Sequence, residues 1–407
     1  MTPGKPQTSK EGRSLPKASP VRYRQVTKRY PDASADAVHE LDLEIPAGEI
    51  CVLVGPSGCG KTTALRLANR TVEMTSGEIE IDGRSVRDRD PAELRREIGY
   101  VIQQIGLFPH RTVTENIATV PGLLGWGPER TADRVSELME LIGLDPDFGD
   151  RYPAQLSGGQ QQRVGVARAL AVDPPVMLMD EPFGAIDPIN RTRLQNEFLR
   201  LQAEIGKTVL FVTHDVDEAI KMGDRIAVLR KGGELAQFAT PSELLAEPAD
   251  RFVEDFVGSD RALKRLSLIP IAEVDLWQAV TVQEGDDARS ARARIDESDL
   301  NHAVLVDDDG RPRGWVPDEE LGGALVGGRR LSPADPLIDL RSTLRDGLSA
   351  LLQAGSQYAP VLDDAGRVVG VLSMEIISDF LASGEDTRLL ISAADRPLDQ
   401  DIPDRQT

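Results

Sequence analysis

Gly55-Pro-Ser-Gly-Cys-Gly-Lys61-Thr62 follows a short apolar run, Ile50 to Val54, and this stretch decides the fold class of the N-terminal part. The run predicts a buried strand that leads into a turn, and Ala64 to Asn69 predicts a helix after it. Glycines at these offsets let backbone N–H groups surround phosphate oxygens, and the positive end of the next helix faces the same anion. The order strand, glycine-rich loop and helix therefore predicts a phosphate site in an α/β fold, with an ordinary glycine-rich turn as the simpler alternative.

The end of this loop carries the side chains with predicted chemical roles. Lys61 is predicted to reach the terminal phosphates of a nucleotide, and the Thr62 hydroxyl to ligate Mg²⁺. The other positions of the stretch that are predicted to bind ATP are Gly55, Pro56, Ser57, Gly58, Cys59, Gly60 and Thr63.

A second apolar run, Val176 to Met179, ends in the carboxylates Asp180 and Glu181. Asp180 suits a Mg²⁺ contact, and Glu181 suits the base that orients an attacking water. A strand that ends in Asp-Glu is more often a solvated turn, but the phosphate loop favours the catalytic interpretation. Val209 to Val212 predicts another buried strand, and strands that alternate with helices predict a parallel sheet covered on both faces.

Leu156-Ser157-Gly158-Gly159-Gln160 opens a predicted helix that is rich in Gln and Arg. Its backbone N–H groups and helix dipole would form a second anion site, although a Ser-capped helix explains the same residues without a ligand. One nucleotide does not need two phosphate cradles in one chain. We therefore predict that Ser157, Gly158, Gly159 and Gln160 contact the ATP of a second copy of this chain.

Together these motifs resemble those of ABC ATPases, in which the Ser-Gly-Gly segment is the signature motif and acts on the partner's nucleotide. The resemblance implies a P-loop NTPase with a RecA-like parallel sheet, an antiparallel subdomain and a helical insertion over about residues 105–170. It also assigns roles to single residues: adenine stacking to Tyr30, Mg²⁺ sensing and coupling to the membrane subunit to Gln103, the dimer-interface loop to Asp187, and γ-phosphate contact to His214. Gln104 is the alternative to Gln103, disfavoured by its spacing from Pro109.

Two further stretches narrow the resemblance, Tyr100 to His110 and Glu115 to Trp126. They look like the ATPase subunits of osmoprotectant importers for glycine betaine, choline, carnitine or proline betaine, and the likeness covers about residues 21–260. It implies an integral-membrane permease and a separate solute-binding protein or domain as partners, and it places this chain at the cytoplasmic face of the cell membrane. Another ABC importer, for example of amino acids, and a soluble ABC ATPase that does not transport are the alternatives.

The C-terminal part contains a repeat with an offset of 56 residues, and each copy predicts a hairpin with an Asp-rich turn followed by a helix. The paired identities are Ala303 and Ala359, Asp307 and Asp363, Asp308 and Asp364, Gly310 and Gly366, Arg311 and Arg367, and Gly314 and Gly370. The repeat resembles the tandem cystathionine-β-synthase-type (CBS) domains that such importer ATPases carry, which implies a second, α+β part of the fold.

These CBS-like copies depart from the pattern of adenosine-binding relatives, in which a Ser or Thr and an Asp hold the ribose. The first copy has Pro317 at the hydroxyl position and Glu320 at the acidic one, whereas the second has Ser373 and Ile376. Because neither copy retains both polar groups, the pattern argues against adenosine-nucleotide binding. A response to a cyclic dinucleotide or to ionic strength, and simple stabilisation of the dimer, remain as interpretations.

Composition separates the predicted domains and excludes some partners. The net charge of −20 argues against a general nucleic-acid binder, which needs a basic surface. Residues 1–260 carry a net charge of −9 and residues 261–407 carry −11, so we place a boundary near 260. The predicted parts are a disordered arm (1–20), the ATPase domain (21–260), two CBS-like domains (261–326 and 327–385) and an acidic tail (386–407).

Segments that would enter or cross a membrane are missing from the sequence pattern. Uncharged stretches fall short of the roughly 20 apolar residues that span a bilayer, and no apolar signal segment follows the first residues. Cys51 and Cys59 have no metal-ligand spacing with the histidines. These features predict a cytosolic chain.

Overall fold

The computed structural model describes residues 18–102, 106–184, 186–298, 300, 302–317, 329–330 and 336–382. The chain divides into two compact units between Val257 and Gly258, close to the composition shift near residue 260. Of the arm predicted over residues 1–20, only 18–20 lie in the described part, and the tail predicted over 386–407 lies outside it.

The first unit alternates strands and helices over most of its length. Its strands are β1 (Val21–Lys28), β2 (Val38–Ile45), β3 (Ile50–Val54), β4 (Ser76–Ile81), β5 (Arg84–Ser85), β6 (Ile98–Val101), β7 (Val176–Asp180), β8 (Thr208–Val212), β9 (Arg225–Leu229) and β10 (Leu235–Ala239). Its helices are α1 (Lys61–Ala68), α2 (Pro91–Arg96), α3 (Val113–Ile117), α4 (Thr119–Leu123), α5 (Pro128–Leu141), α6 (Gly158–Leu170), α7 (Pro188–Ile205), α8 (Val216–Met222), α9 (Pro241–Ala246) and α10 (Arg251–Val257).

The central sheet of this unit has the order β10-β9-β3-β8-β7-β6. The pairs from β9 to β6 are parallel, and β10 joins the edge antiparallel to β9. Strands β3, β7 and β8 are buried at every residue, as expected for strands that are covered on both faces. The predicted parallel sheet is confirmed, and the helix predicted from Ala64 begins earlier, at Lys61.

A second, antiparallel sheet has the order β2-β1-β4-β5. Its buried side chains, including Tyr23 and Leu43, share one core with Leu53 of the central sheet and Leu65 of α1. Between β6 and β7 the described residues form helices α3 to α6 and no strand, in the region where the sequence predicts a helical insertion. The phosphate loop therefore begins at the carboxyl end of β3 and leads into α1, and both elements contribute to the core that the two sheets share.

The second unit contains short strands and helices that repeat once. Its strands are β11 (Thr281–Val282), β12 (His302–Val306), β13 (Pro312–Pro317), β14 (Arg329–Arg330), β15 (Ile338–Asp339), β16 (Tyr358–Leu362) and β17 (Val368–Ser373). Its helices are α11 (Arg261–Arg265), α12 (Ala288–Asp296), α13 (Leu344–Ala354) and α14 (Met374–Ala382). The sheet orders are β11-β12-β13-β14 and β15-β16-β17.

Both predicted hairpins are present in this unit and share one register. Ala303 pairs with Val316 in β12–β13, and Ala359 pairs with Leu372 in β16–β17. The predicted helix after the second hairpin is α14, whereas the residues after the first, 318–328, lie outside the described residues. Helices α12 and α13 precede the two hairpins at the same spacing, which extends the repeat beyond the matching residues.

The segment before β11 packs into the core formed by the second copy of the repeat rather than into the core of the first. Leu266 and Ile271 are fully buried in one cluster with Leu344 and Leu372. Trp277 exchanges two backbone hydrogen bonds with Val371, at 3.2 and 3.0 Å. The range predicted for the first CBS-like domain, 261–326, therefore includes side chains of both cores. Sequence periodicity does not predict this packing, because it does not indicate which sheet a short segment joins.

Candidate active site

The phosphate loop connects β3 to α1 through backbone conformations that only glycine accepts. Gly60 has a φ of +114°, and a Cβ there would lie 2.1 Å from the Ala37 carbonyl oxygen. A Cβ at Gly55 would lie 2.3 Å from the Leu229 carbonyl oxygen. The pattern of spaced glycines therefore reflects close contact with neighbouring backbone as well as the loop's curvature.

Lys61 lies across this loop with its side chain almost wholly buried. Its Nζ donates to the carbonyl oxygens of Gly55 at 2.7 Å and Pro56 at 3.1 Å, and lies 3.9 Å from the Cys59 sulfur. Burial raises the pKa of the Cys59 thiol although the nearby ammonium acts in the opposite direction. The loop therefore holds one positive charge at its centre, next to a thiol that stays protonated.

The first turn of α1 meets the end of β7 at Thr62 and Asp180. The Thr62 hydroxyl donates to Asp180 Oδ1 at 2.9 Å, and an Arg66 nitrogen lies 3.6 Å from Asp180 Oδ2. Burial raises the pKa of the Asp180 carboxyl, while Thr62 and Arg66 pull it down. A hydroxyl and a carboxylate at contact distance are the oxygen ligands that Mg²⁺ prefers.

The metal ion that Thr62 and Asp180 could bind depends on which other ligands are available to it. The described residues contain no group of three or more His, Cys, Asp and Glu side chains that could hold a metal ion. Mg²⁺ is commonly bound by one or two protein oxygens together with substrate phosphates and water. Thr62 and Asp180 supply oxygen atoms that fit such a Mg²⁺.

Glu181 and His214 follow two neighbouring parallel strands, β7 and β8, and meet at the carboxyl edge of the sheet. Asp180 stands opposite Val212 in the register, and the Glu181 N–H donates to the Val212 carbonyl oxygen at 2.9 Å. The Glu181 Oε1 then lies 3.0 Å from His214 Nδ1. Glu181 has a φ of +44°, an uncommon conformation for a residue with a side chain. The structure thus brings the predicted base and the predicted γ-phosphate contact together.

Ser157 and Gln160 form a reciprocal cap at the start of α6. The Gln160 N–H donates to Ser157 Oγ at 3.3 Å, and the Ser157 N–H donates to Gln160 Oε1 at 2.8 Å. Within one chain these bonds match the simple capping interpretation. Ser157 and Gly158 are nevertheless exposed, so their first-turn backbone remains accessible from outside the chain.

Asp187 and Tyr30 lie at exposed positions. Asp187 caps α7, because its carboxylate accepts from the backbone N–H of Asn190 at 3.1 Å. The Tyr30 ring is exposed, and the Lys28 ammonium lies 5.0 Å from its centroid. Gln103 and its alternative Gln104 lie outside the described residues.

Sequence reasoning missed several residues around this site. Arg66 lies one turn after Thr62 on α1, and this spacing is the signal that could have placed it near the same ligand. Gln195 and Glu218 form a buried hydrogen bond of 2.9 Å between α7 and α8, behind the loop that carries His214. No sequence motif marks that pair, since its members come from separate helices.

Membrane-spanning helices are absent from the part of the chain that the structure describes: no helix there is long and apolar enough to cross a bilayer.

The chain is similar to a known protein family and to several known proteins. The family described as ABC transporter matches residues 38–184. The osmoprotectant import ATP-binding protein OsmV of Salmonella typhimurium is 46% identical over 376 residues, which cover 91% of this chain and 98% of OsmV. The glycine betaine/carnitine/choline transport ATP-binding protein OpuCA of Bacillus subtilis is 42% identical, covering 91% of this chain and 99% of OpuCA.

A solved structure is similar in fold. CbiO1 of Clostridium perfringens, part of the ABC transporter complex CbiONQ, has a TM-score of 0.53 and 24% identity, and the similarity covers 61% of this chain and 94% of CbiO1. This likeness concerns the arrangement of strands and helices.

Proposed function

This chain belongs to the ABC transporter ATP-binding proteins of osmoprotectant importers, and on this basis we propose that its ATP hydrolysis energises import of a quaternary-amine osmoprotectant through a partner permease. The solutes in question are glycine betaine, choline, carnitine and proline betaine. The observation that carries the proposal is the length of the similarity to OsmV. Its 376 aligned residues exceed the first unit, which ends at Val257, and so extend well into the second.

The phosphate loop binds the triphosphate of ATP. Backbone N–H groups between Gly55 and Thr62 face the phosphate oxygens, and the N-terminus of α1 adds its positive end. Lys61 moves its ammonium from loop carbonyls to the terminal phosphates, exchanging neutral acceptors for charged ones. Tyr30 stacks on the adenine with its exposed ring.

Thr62 and Asp180 would hold Mg²⁺ beside the phosphates, with Gln103 as a further ligand. When bound, Mg²⁺ neutralises negative charge on the phosphate oxygens. The hydrogen bond between Thr62 and Asp180 supports this assignment because it brings two oxygen ligands from different elements to one point. Asp180 is anchored by buried sheet backbone, so its carboxylate has little freedom to move away.

Glu181 orients the water that attacks the γ-phosphorus, and the bond from that phosphorus to the β–γ bridging oxygen breaks. His214 contacts the γ-phosphate from the neighbouring strand end. The 3.0 Å contact between their side chains supports a shared task, since each restricts the other's position. The products are ADP and inorganic phosphate.

Two copies of the chain enclose two ATP molecules head to tail. Ser157, Gly158, Gly159 and Gln160 of one copy complete the site around Lys61 of the other, and Asp187 lies in the interface. Exposure of Ser157 and Gly158 supports this role, although their capping bonds also satisfy them within one chain. ATP binding closes the dimer, and hydrolysis opens it again.

The dimer acts at the cytoplasmic face of the cell membrane as a peripheral subunit. Its movement reaches integral-membrane permease subunits through the Gln103 loop and the helical insertion, while a separate solute-binding protein supplies the solute. Quaternary ammonium groups are commonly recognised by several aromatic rings. In our proposal that recognition belongs to the solute-binding partner, and this chain supplies the energy.

The second unit is a pair of CBS-type modules that regulates transport. The two repeated hairpins support the assignment of two paired modules. The surroundings of Ser373 indicate which ligands these modules could bind. Its hydroxyl is buried and accepts the Ile376 N–H at 3.1 Å, and Ile376 stands where a ribose-binding carboxylate is expected. Adenosine nucleotides are therefore poor candidates for the signal, and ionic strength or a cyclic dinucleotide fits better.

Uptake in cells that lack this chain tests the proposal. We expect uptake of labelled glycine betaine at high osmolarity to disappear and to return with the wild-type chain but not with Glu181→Gln. Excess choline and carnitine should compete with it. Unchanged uptake of every quaternary amine, together with lost uptake of an amino acid, would reassign the chain to another ABC importer.

A further inference from the structure

A buried polar pair lies directly behind the loop that carries His214. Gln195 Nε2 on α7 donates to Glu218 Oε1 on α8 at 2.9 Å, and the two residues are only 5% and 7% exposed. A carboxyl group costs free energy to bury unless hydrogen bonds compensate it. None of the nucleotide contacts above uses this pair, so its position needs another explanation.

The Glu218 carboxyl also interacts with Thr213, the residue that precedes His214 in the chain. Burial raises the pKa of this carboxyl, and hydrogen bonding with the side chain of Thr213, which is itself almost fully buried, lowers it. Thr213 Oγ1 in turn accepts the N–H of Asp215 at 3.0 Å, and the Thr213 N–H donates to Leu53 of β3 at 3.2 Å. The residues on both sides of His214 are therefore held through one buried hydroxyl.

The side chain of His214 has little packing of its own, with 60% of it exposed. Its orientation towards Glu181 must then come from the backbone on either side and from the single contact of 3.0 Å between the two side chains. A change in the rotamer of Thr213 would displace the imidazole from that contact. Glu218 prevents this change by fixing the Thr213 hydroxyl.

Helix α7 also contacts the turn that precedes it. Arg191 lies one turn before Gln195 on α7 and donates to the Ile186 carbonyl oxygen at 3.0 Å. A second nitrogen of Arg191 lies 4.0 Å from Asp215 Oδ2. Successive turns of α7 thus contact the backbone next to Asp187 and the loop around His214.

We propose that Gln195 and Glu218 are positioning residues that hold His214 in its hydrolytic orientation through Thr213, and that Arg191 links this loop to the dimer-interface turn at Ile186. The inference rests on the proposed hydrolytic role of His214.

A mutant cycle on the full-length chain tests the positioning role. We expect Glu218→Ala to lower kcat for ATP hydrolysis by about 10- to 100-fold, the size of effect that a misplaced reacting group produces. Affinity for a non-hydrolysable ATP analogue should stay within about twofold, because the phosphate loop is untouched. Combined with His214→Ala, Glu218→Ala should cause no further loss of kcat.

Glu218→Gln is the conservative variant, because it fills the same space and its amide oxygen still accepts one of the two hydrogen bonds that the carboxyl accepts. It should lose less of the rate than Glu218→Ala. Independent, multiplicative losses in the double variant would overturn the inference, as would a full rate in Glu218→Ala. An unchanged rate in His214→Ala would remove the proposed hydrolytic role of His214 and the inference with it, whereas a rate that needs His214 but not Glu218 overturns the positioning role alone.

A second pair of variants separates positioning from stability. Gln195 and Gln202 lie on the same helix and are similarly buried, at 5% and 6% exposure. Gln202 Nε2 donates to backbone oxygens of Gly48 and Lys207, away from His214. We expect Gln195→Leu and Gln202→Leu to lower the melting temperature alike, and only Gln195→Leu to lower kcat. If Glu218→Ala fails to fold, this comparison decides the question, and equal rates in both variants would refute the positioning role.

Discussion

His214 Nδ1 lies 3.0 Å from Glu181 Oε1, which joins side chains that are 33 residues apart in the chain. The contact exists because β7 and β8 are adjacent parallel strands whose carboxyl ends reach the same edge of the sheet. Residues that follow such strands converge at a crevice where ligands of α/β proteins bind.

Glu181→Gln should abolish ATP turnover and leave ATP binding intact, because the amide keeps the shape of the side chain but orients water poorly and accepts no proton. Bound ATP should then trap the closed dimer. Phosphate release, nucleotide binding and size-exclusion chromatography with ATP measure these three effects. Glu44→Gln, in an exposed ion pair with Arg22, is the matched control and should behave as wild type. Hydrolysis at the wild-type rate in Glu181→Gln would contradict the assignment.

Gly60→Ala should cost more stability than Gly58→Ala, although both glycines have a positive φ. At Gly58 a Cβ would find open space, so only backbone strain of about 1–2 kcal/mol applies. At Gly60 the Cβ would lie 2.1 Å from a backbone oxygen, and the loop must shift. Urea denaturation and ATP affinity of both variants provide the comparison. Equal losses at the two positions would show that the close approach to Ala37 is unimportant.

Thr62→Val should abolish Mg²⁺-dependent hydrolysis, and Thr62→Ser should retain it. Valine has the same shape as threonine but removes the hydroxyl that donates to Asp180 Oδ1 at 2.9 Å, leaving a buried carboxylate without that partner. A Mg²⁺ titration of the ATPase rate measures the effect. Activity of Thr62→Val at wild-type Mg²⁺ concentrations would exclude the hydroxyl as a ligand.

Leu266→Ala and Ile271→Ala should each lower the free energy of unfolding of the second unit by about 2–5 kcal/mol, since each opens a cavity in its core. Both side chains are fully buried there. Tryptophan fluorescence in urea follows this unit in a Trp126→Phe background, because the two remaining tryptophans, Trp277 and Trp315, both lie in it. Leu352→Ala is the control, with a side chain that is 64% exposed on α13. Three equal values would show that the segment before β11 does not stabilise this core.

Glu218→Gln should gain stability relative to wild type as the pH rises. Burial raises the pKa of the Glu218 carboxyl, and Asp215 adds to this rise, while Thr213, Gln195 and Arg191 act against it. A carboxyl with a raised pKa in the folded state binds its proton more tightly there, so the wild type loses stability as the pH rises above the ordinary pKa of the group. Urea denaturation at pH 5 and pH 8 should show the larger gain at pH 8. A gain that does not change with pH would mean that Glu218 titrates normally.

Much of the candidate site is readable from local sequence. The glycine spacing between Gly55 and Thr62 and the apolar runs of β3, β7 and β8 indicate strand ends and a phosphate loop, because backbone conformation and burial depend on near neighbours in the chain. The repeat of 56 residues likewise predicts two hairpins that the structure contains. For the ATP site, family resemblance then assigns roles that single residues such as Tyr30 or His214 could not reveal alone.

Other features depend on contacts between distant segments. Local patterns predict the carboxylates after β7, but only the strand order β8-β7 brings Glu181 to His214. No sequence signature marks the buried hydrogen bond between Gln195 and Glu218. None marks the packing of Leu266 in the core of the second repeat copy either. The reason is physical: short-range periodicity encodes which face of a strand or helix is buried, whereas the partner that buries it is selected by the three-dimensional packing of the whole unit.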